Sequence, residues 1–187
     1  MTTSLTFTLC SLAFASGLLA IPDVRTAARP AGRLAAPVAA PGDHAVCEGK
    51  TIGFWGNPNG AVLIEAGDFL DVLPSLHLVD ERGNPFATHD IEEFQDWLQQ
   101  ANAFNMAYML SAQLAAMKFN VLAGFVDERE CVLRTNTGEL PVDRLIEEAI
   151  EALIEDPYTP PGDDHRRKQA ELKNLLDAAN NNLNWSA

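Results

Sequence analysis

Basic residues are scarce in this chain: 13 Lys and Arg stand against 26 Asp and Glu, for a net charge of −13. A surface of that sign repels phosphates, which excludes a nucleic-acid partner and anionic lipid. The one basic run, Arg166-Arg-Lys168, is bracketed by acids and reads as the solvated start of a helix. Cysteine is equally sparse, with Cys10, Cys47 and Cys131, and no Cys or His spacing carries a zinc signature. None of His44, His77, His89 and His165 has the His-x-x-x-His spacing that puts two ligands on one helix face. His89 and Glu92 lie at i, i+3, but Glu92 is better read as an acid favourable to a helix N-terminus. Asp80, Glu81 and Asn84 lack the spacing of a calcium loop and read as a turn. Ser75 near His77 has no nucleophile-elbow motif, and Ser111 sits in an apolar segment, so no hydrolytic triad is visible. No catalytic residue, metal or cofactor is expected.

Long uninterrupted apolar runs are also lacking. The stretch from Ser4 to Ala20 is too short for a comfortable membrane span but suits the apolar region of a secretory signal, although no Lys or Arg precedes it. Residues 1–26 are therefore read as a signal-like leader, with an uncleaved membrane anchor as the alternative. Residues 27–46 carry Ala pairs and prolines with no periodic apolar face, the composition of a spacer. A single domain is expected over 47–187. Beyond the leader only Cys47 and Cys131 remain, and an even pair after an export signal is the pattern of one structural disulfide.

No internal repeat and no strand-like alternation is present, so the expected fold is all-α. The segment Asn102 to Gly124 is rich in Ala, Leu, Met and Gln and apolar around most of a helical circumference. Asn105, Ser111, Gln113, Lys118 and Asn120 interrupt it too often for a membrane span. It is predicted to be the buried centre of a small helical bundle. Around it, Gly49 to Asn59 predicts an irregular aromatic turn, and Gly60 to Leu73 short helical turns with Asp68 as a cap and Pro74 as terminator. Asp90 caps a helix over 91–100 that buries Ile91, Phe94, Trp97 and Leu98. Pro141 opens a helix through Ile154 with an apolar stripe from Val142 to Ile154 and acids opposite. A last helix, capped by Asp163 or Asp164, runs to about Asn180 with Leu172, Leu175, Leu176, Ala179 and Leu183 inward.

The order Cys47, then Gly53-Phe-Trp-Gly-Asn57, then Asn105-Met-Ala-Tyr-Met-Leu-Ser-Ala-Gln-Leu-Ala-Ala116, then the Asn180-Asn-Asn-Leu-Asn-Trp185 run resembles a module of exported bacterial proteins. That module is often appended to surface and adhesion-type polypeptides. The resemblance covers most of residues 47–185 and implies a small helical domain in an extracellular setting, with no catalytic residues supplied.

Two sets of residues stand out. Phe54, Trp55 and Asn57 form an aromatic turn that could offer a flat face to a sugar or peptide; the preferred reading is that Trp55 plugs the end of the core. Asn105, Gln113 and Asn120 fall on one face of the central helix, where buried amides need partners. They are expected to tie the glycine-rich turn to the core. The function these features imply is an exported, non-enzymatic module with a structural or adhesive role at or outside the cell surface. Its partner would be an extracellular protein or glycan. The alternative is a small secreted hydrolase or metal-dependent enzyme with an unfamiliar site.

Overall fold

A computed structural model describes residues 47–186; the leader and spacer expectations lie outside them. The described chain is mostly helical with one small sheet: α1 (Ile52–Trp55), α2 (Pro58–Gly67), a 3-10 segment (Phe69–Leu76), α3 (Ile91–Gln100), α4 (Met106–Leu122), β1 (Val132–Thr135), β2 (Gly138–Pro141), α5 (Val142–Glu155) and α6 (Arg166–Asn180).

The long helix α4 is the centre. Ala107, Leu110, Leu114, Ala115, Met117 and Phe119 are all fully buried, and α6, α5, the 3-10 segment and α1 pack around them. The helix starts where Asn105 accepts a hydrogen bond from the Ala107 N–H, filling one of the orphan donors of the first turn. Asp90 does the same for α3 through the Glu93 N–H at 3.0 Å. On α5 the acids face outward and Val142, Leu145, Ala149 and Leu153 face in.

Several sequence expectations need correction. The aromatic turn is not irregular: Thr51 caps the single turn α1, and Asn57 caps α2 with Pro58 at its first position, where a missing N–H costs nothing. The two helices meet so closely that a Cβ on Gly60 would lie 2.5 Å from the Phe54 carbonyl oxygen. Asp68 caps nothing with its side chain and takes a left-handed backbone instead. Pro74 does not terminate its segment but lies inside the 3-10 turn. Ile154 and Leu183 are 57% and 58% exposed, not inward.

The all-α expectation also fails locally. β1 and β2 form an antiparallel hairpin, with Leu133 opposite Leu140 and Arg134 opposite Glu139. The C-terminal run extends this sheet. Leu133 bridges Trp185, the Arg134 N–H donates to the Asn184 carbonyl, and the Ser186 N–H donates to the Val132 carbonyl, each at 2.8 Å. Asn182 and Asn184 adopt the left-handed conformation that turns the chain back after α6, which asparagine tolerates better than most residues. Cys47 and Cys131 lie at disulfide distance, with Cα atoms 5.7 Å apart, so the first described residue is fastened to the entry of β1.

Candidate functional site

Of the predicted site residues, Trp55, Asn105, Gln113 and Asn120 are buried, while Phe54 and Asn57 are partly exposed. Trp55 is fully buried, in contact with Phe54, Phe69, Phe119 and Phe125 at ring-centroid distances of 5.1, 6.1, 5.5 and 6.3 Å. It therefore presents no flat face outward, which corrects the surface-binding reading of Phe54, Trp55 and Asn57 at its central member. Asn57 is occupied as well: its Nδ2 donates to the Gly53 carbonyl and its Oδ1 accepts from the Asn59 N–H.

Asn105, which caps α4, and Gln113 and Asn120 within it tie separate segments to the central helix. Asn120 reaches the aromatic turn. Its Oδ1 accepts from the Lys50 N–H at 2.9 Å and from the Trp55 indole N–H at 3.2 Å. Its Nδ2 donates to the Lys50 carbonyl and to Asn180 Oδ1. Gln113 instead joins α6, donating to Asp177 and accepting from Asn180 Nδ2. Asn105 anchors two loops through the Asp80 and Pro157 carbonyls and the Thr159 N–H. The segment leading into α1 approaches α6 closely in this clasp: a Cβ on Gly49 would lie 2.4 Å from the Ala179 carbonyl oxygen. Among the described residues, the one buried side-chain polar atom left without a hydrogen-bond partner is the Trp185 indole nitrogen.

A groove of about 820 Å³ opens elsewhere, between the Asp80–Pro85 loop and α3. Six carboxylates line it, from Asp80, Glu81, Asp90, Glu92, Glu93 and Asp96, against the single guanidinium of Arg82. Aromatic rings form its floor. Phe86 stacks on Trp97 with centroids 4.4 Å apart and planes within 2°, and Tyr108 lies beside Trp97 at 5.5 Å. The groove is anchored at Val79, whose N–H donates to Ser111 of α4 and whose carbonyl accepts from the Trp97 indole. Tyr108 closes the other side by donating its hydroxyl to the Trp97 carbonyl.

The electrostatics of the groove follow from this arrangement. Partial burial opposes ionisation of Asp80. Hydrogen bonds from the Asn84 side chain and from the Asn84 and Arg82 N–H groups, with the Arg82 charge, outweigh it and hold the carboxyl below its ordinary value. Tyr108 is pushed up to about 12, first by burial and then by the negative charges of Glu81 and Asp80. Asp80, Asp90 and Glu93 are engaged internally, Glu93 by the Thr88 hydroxyl. Glu92 and Asp96 take part in no side-chain hydrogen bond or ion pair among the described residues.

Sequence reasoning treated this loop as a plain turn and missed the groove. Its signal was the density of acids over residues 80–96 around Phe86 and Trp97. Three positioning residues were also missed. Gln95 donates to the Trp55 and Asn57 carbonyls and Gln99 to the Gly56 carbonyl, so α3 grips the aromatic turn. Arg166 donates to the Ala103 and Phe104 carbonyls at 2.5 and 3.0 Å. No family model, curated protein or solved structure matches this chain.

Proposed function

We propose that this chain is an exported, non-enzymatic helical module with an interaction role at or outside the cell surface. The composition of the groove carries the reading. Its lining contains no histidine, cysteine, serine or lysine, so it offers no serine, cysteine or lysine nucleophile and no imidazole base. A carboxylate pair working as acid and base needs one member that keeps its proton near neutrality; Asp80, whose hydrogen bonds favour the ionised form, is not that member. What the groove does offer is a large excess of negative charge, six carboxylates to one guanidinium, beside aromatic rings, which suits recognition. The buried polar groups are committed to holding helices and loops together, as a stable scaffold for such a surface requires.

Export is supported by the apolar leader, the Ala/Pro-rich spacer and the placement of Cys47 against Cys131, since disulfides persist in oxidising compartments. The test combines cell fractionation, peptide mapping without reduction and a panel of ester, peptide and glycoside substrates. The expected result is protein outside the cytoplasm, with Cys47 joined to Cys131 and no turnover. Cytoplasmic protein with both thiols reduced would remove the export half. Turnover abolished by Glu92→Gln or Asp96→Asn would replace the module with an enzyme.

A further inference from the structure

We infer that the aromatic-floored groove docks a cationic peptide segment in which arginine or lysine alternates with an apolar residue. This rests on the interaction reading above and names the partner's chemistry. Trp97 is buried and stacks on Phe86, which is only partly buried, so Phe86 is the ring along which a guanidinium can lie. Arginine favours such a position, because its planar charge stacks on rings while its N–H groups reach carboxylates. Glu92 and Asp96 stand one turn apart on α3 in the groove wall, unengaged. Like charges at i, i+4 destabilise a helix, and a bound cation relieves the repulsion.

A second hollow, of about 290 Å³, continues past Glu81 and Arg82 and is lined by Phe104 and Tyr158. These rings are 56% and 42% exposed. The backbone at Phe104 is held, because Arg166 donates to its carbonyl and that of Ala103. An acidic wall beside an exposed aromatic shelf matches a segment bearing both a charge and a hydrophobe. Arg82 sets the direction, since it repels the charged residue toward α3 and leaves the shelf for the apolar one. Among the described residues no group of three His, Cys, Asp or Glu side chains is placed to hold a metal ion. The negative charge is thus spread along a wall, which fits an extended cation better than a point charge.

The probe is a blocked pentapeptide of alternating arginine and leucine, titrated into the full chain by calorimetry at low and physiological salt. Its citrulline counterpart keeps the shape and removes the charge. The expected result is saturable binding of the arginine peptide and none of the citrulline peptide. The double variant Glu92→Gln/Asp96→Asn should weaken binding by about tenfold or more, about 1.4 kcal/mol per tenfold. Glu151→Gln/Glu171→Gln removes the same charge from exposed positions on α5 and α6 and should leave affinity within about twofold, since distant exposed charges are screened. Phe104→Ser should weaken the arginine–leucine peptide but not an arginine–glycine one. Equal losses in the two double variants would overturn the site, leaving only general attraction to an acidic protein. Spermine binding as tightly as the peptide would overturn the peptide in favour of a small polycation. If no peptide binds to folded protein, the cationic partner is refuted while the interaction reading, tested by localisation and the substrate panel, stands.

Discussion

Replacing Trp55 by alanine should be among the most damaging single changes this domain can suffer. The side chain is fully buried and is ringed by Phe54, Phe69, Phe119 and Phe125, so its removal leaves a cavity that rigid aromatic neighbours fill poorly. Large-to-small changes of this kind cost about 3–5 kcal/mol. The indole N–H also donates to Asn120, but that acceptor keeps the Lys50 N–H, so the lost hydrogen bond adds only about 1 kcal/mol. At about 3 °C per kcal/mol for a domain of this size, the thermal midpoint should fall by about 10 °C or more. Trp55→Phe separates the two terms: it retains much of the ring contact, loses the donor and should cost about 1–2 kcal/mol. Thermal and urea unfolding followed by circular dichroism measure both variants. A loss below about 1 kcal/mol for Trp55→Ala would refute the reasoning, because the aromatic turn would then not be part of the core.

Asn120→Ala should cost about 2–3 kcal/mol, because the Lys50 backbone groups and Asn180 lose their partner in the interior; hydrogen exchange at Lys50 should speed up more than at α5. Leu114 is fully buried, so Leu114→Asp should cost several kcal/mol by desolvating a carboxylate, while Glu151→Gln at an exposed position stays within about 0.5 kcal/mol. Tyr108 is pushed up from 10.0 to about 12 in the folded state, so its contribution is complete below pH 10. It is lost as pH rises from 10 through about 12, because the unfolded chain releases that proton first. Alkaline unfolding should show this limb, and Tyr108→Phe should remove it.

The parts of this fold that were legible in the sequence are those governed by local rules. α3 is bounded by its Asp90 cap as the spacing required, and the apolar circumference of α4 foretold its burial. The hairpin was not legible because Val132–Thr135 and Gly138–Pro141 are too short to show alternation, and their pairing depends on contacts with the C-terminal run. Pro74 misled because a 3-10 turn tolerates what would break an α-helix. Of the amides, burial and the tie to the glycine-rich turn could be read, and Asn120 makes that tie; that Gln113 and Asn105 hold other segments depends on packing between residues distant in sequence. The groove was hidden for a similar reason. Asp80, Phe86, Asp96 and Tyr108 come from separate segments, and each looks ordinary alone: a turn acid, a loop aromatic, a solvated helix face and a core tyrosine.

The most direct test of the account is a chemical-shift map of the folded chain titrated with the arginine–leucine peptide. The Trp97 indole N–H, bonded to the Val79 carbonyl beneath the groove, is the reporter. The account predicts saturable shifts at this proton, at residues 80–86 and 92–100, and at Phe104 and Tyr158, with the Trp55 indole unmoved. Shifts spread over the acidic face of α5, with the Trp97 indole unchanged, would contradict it.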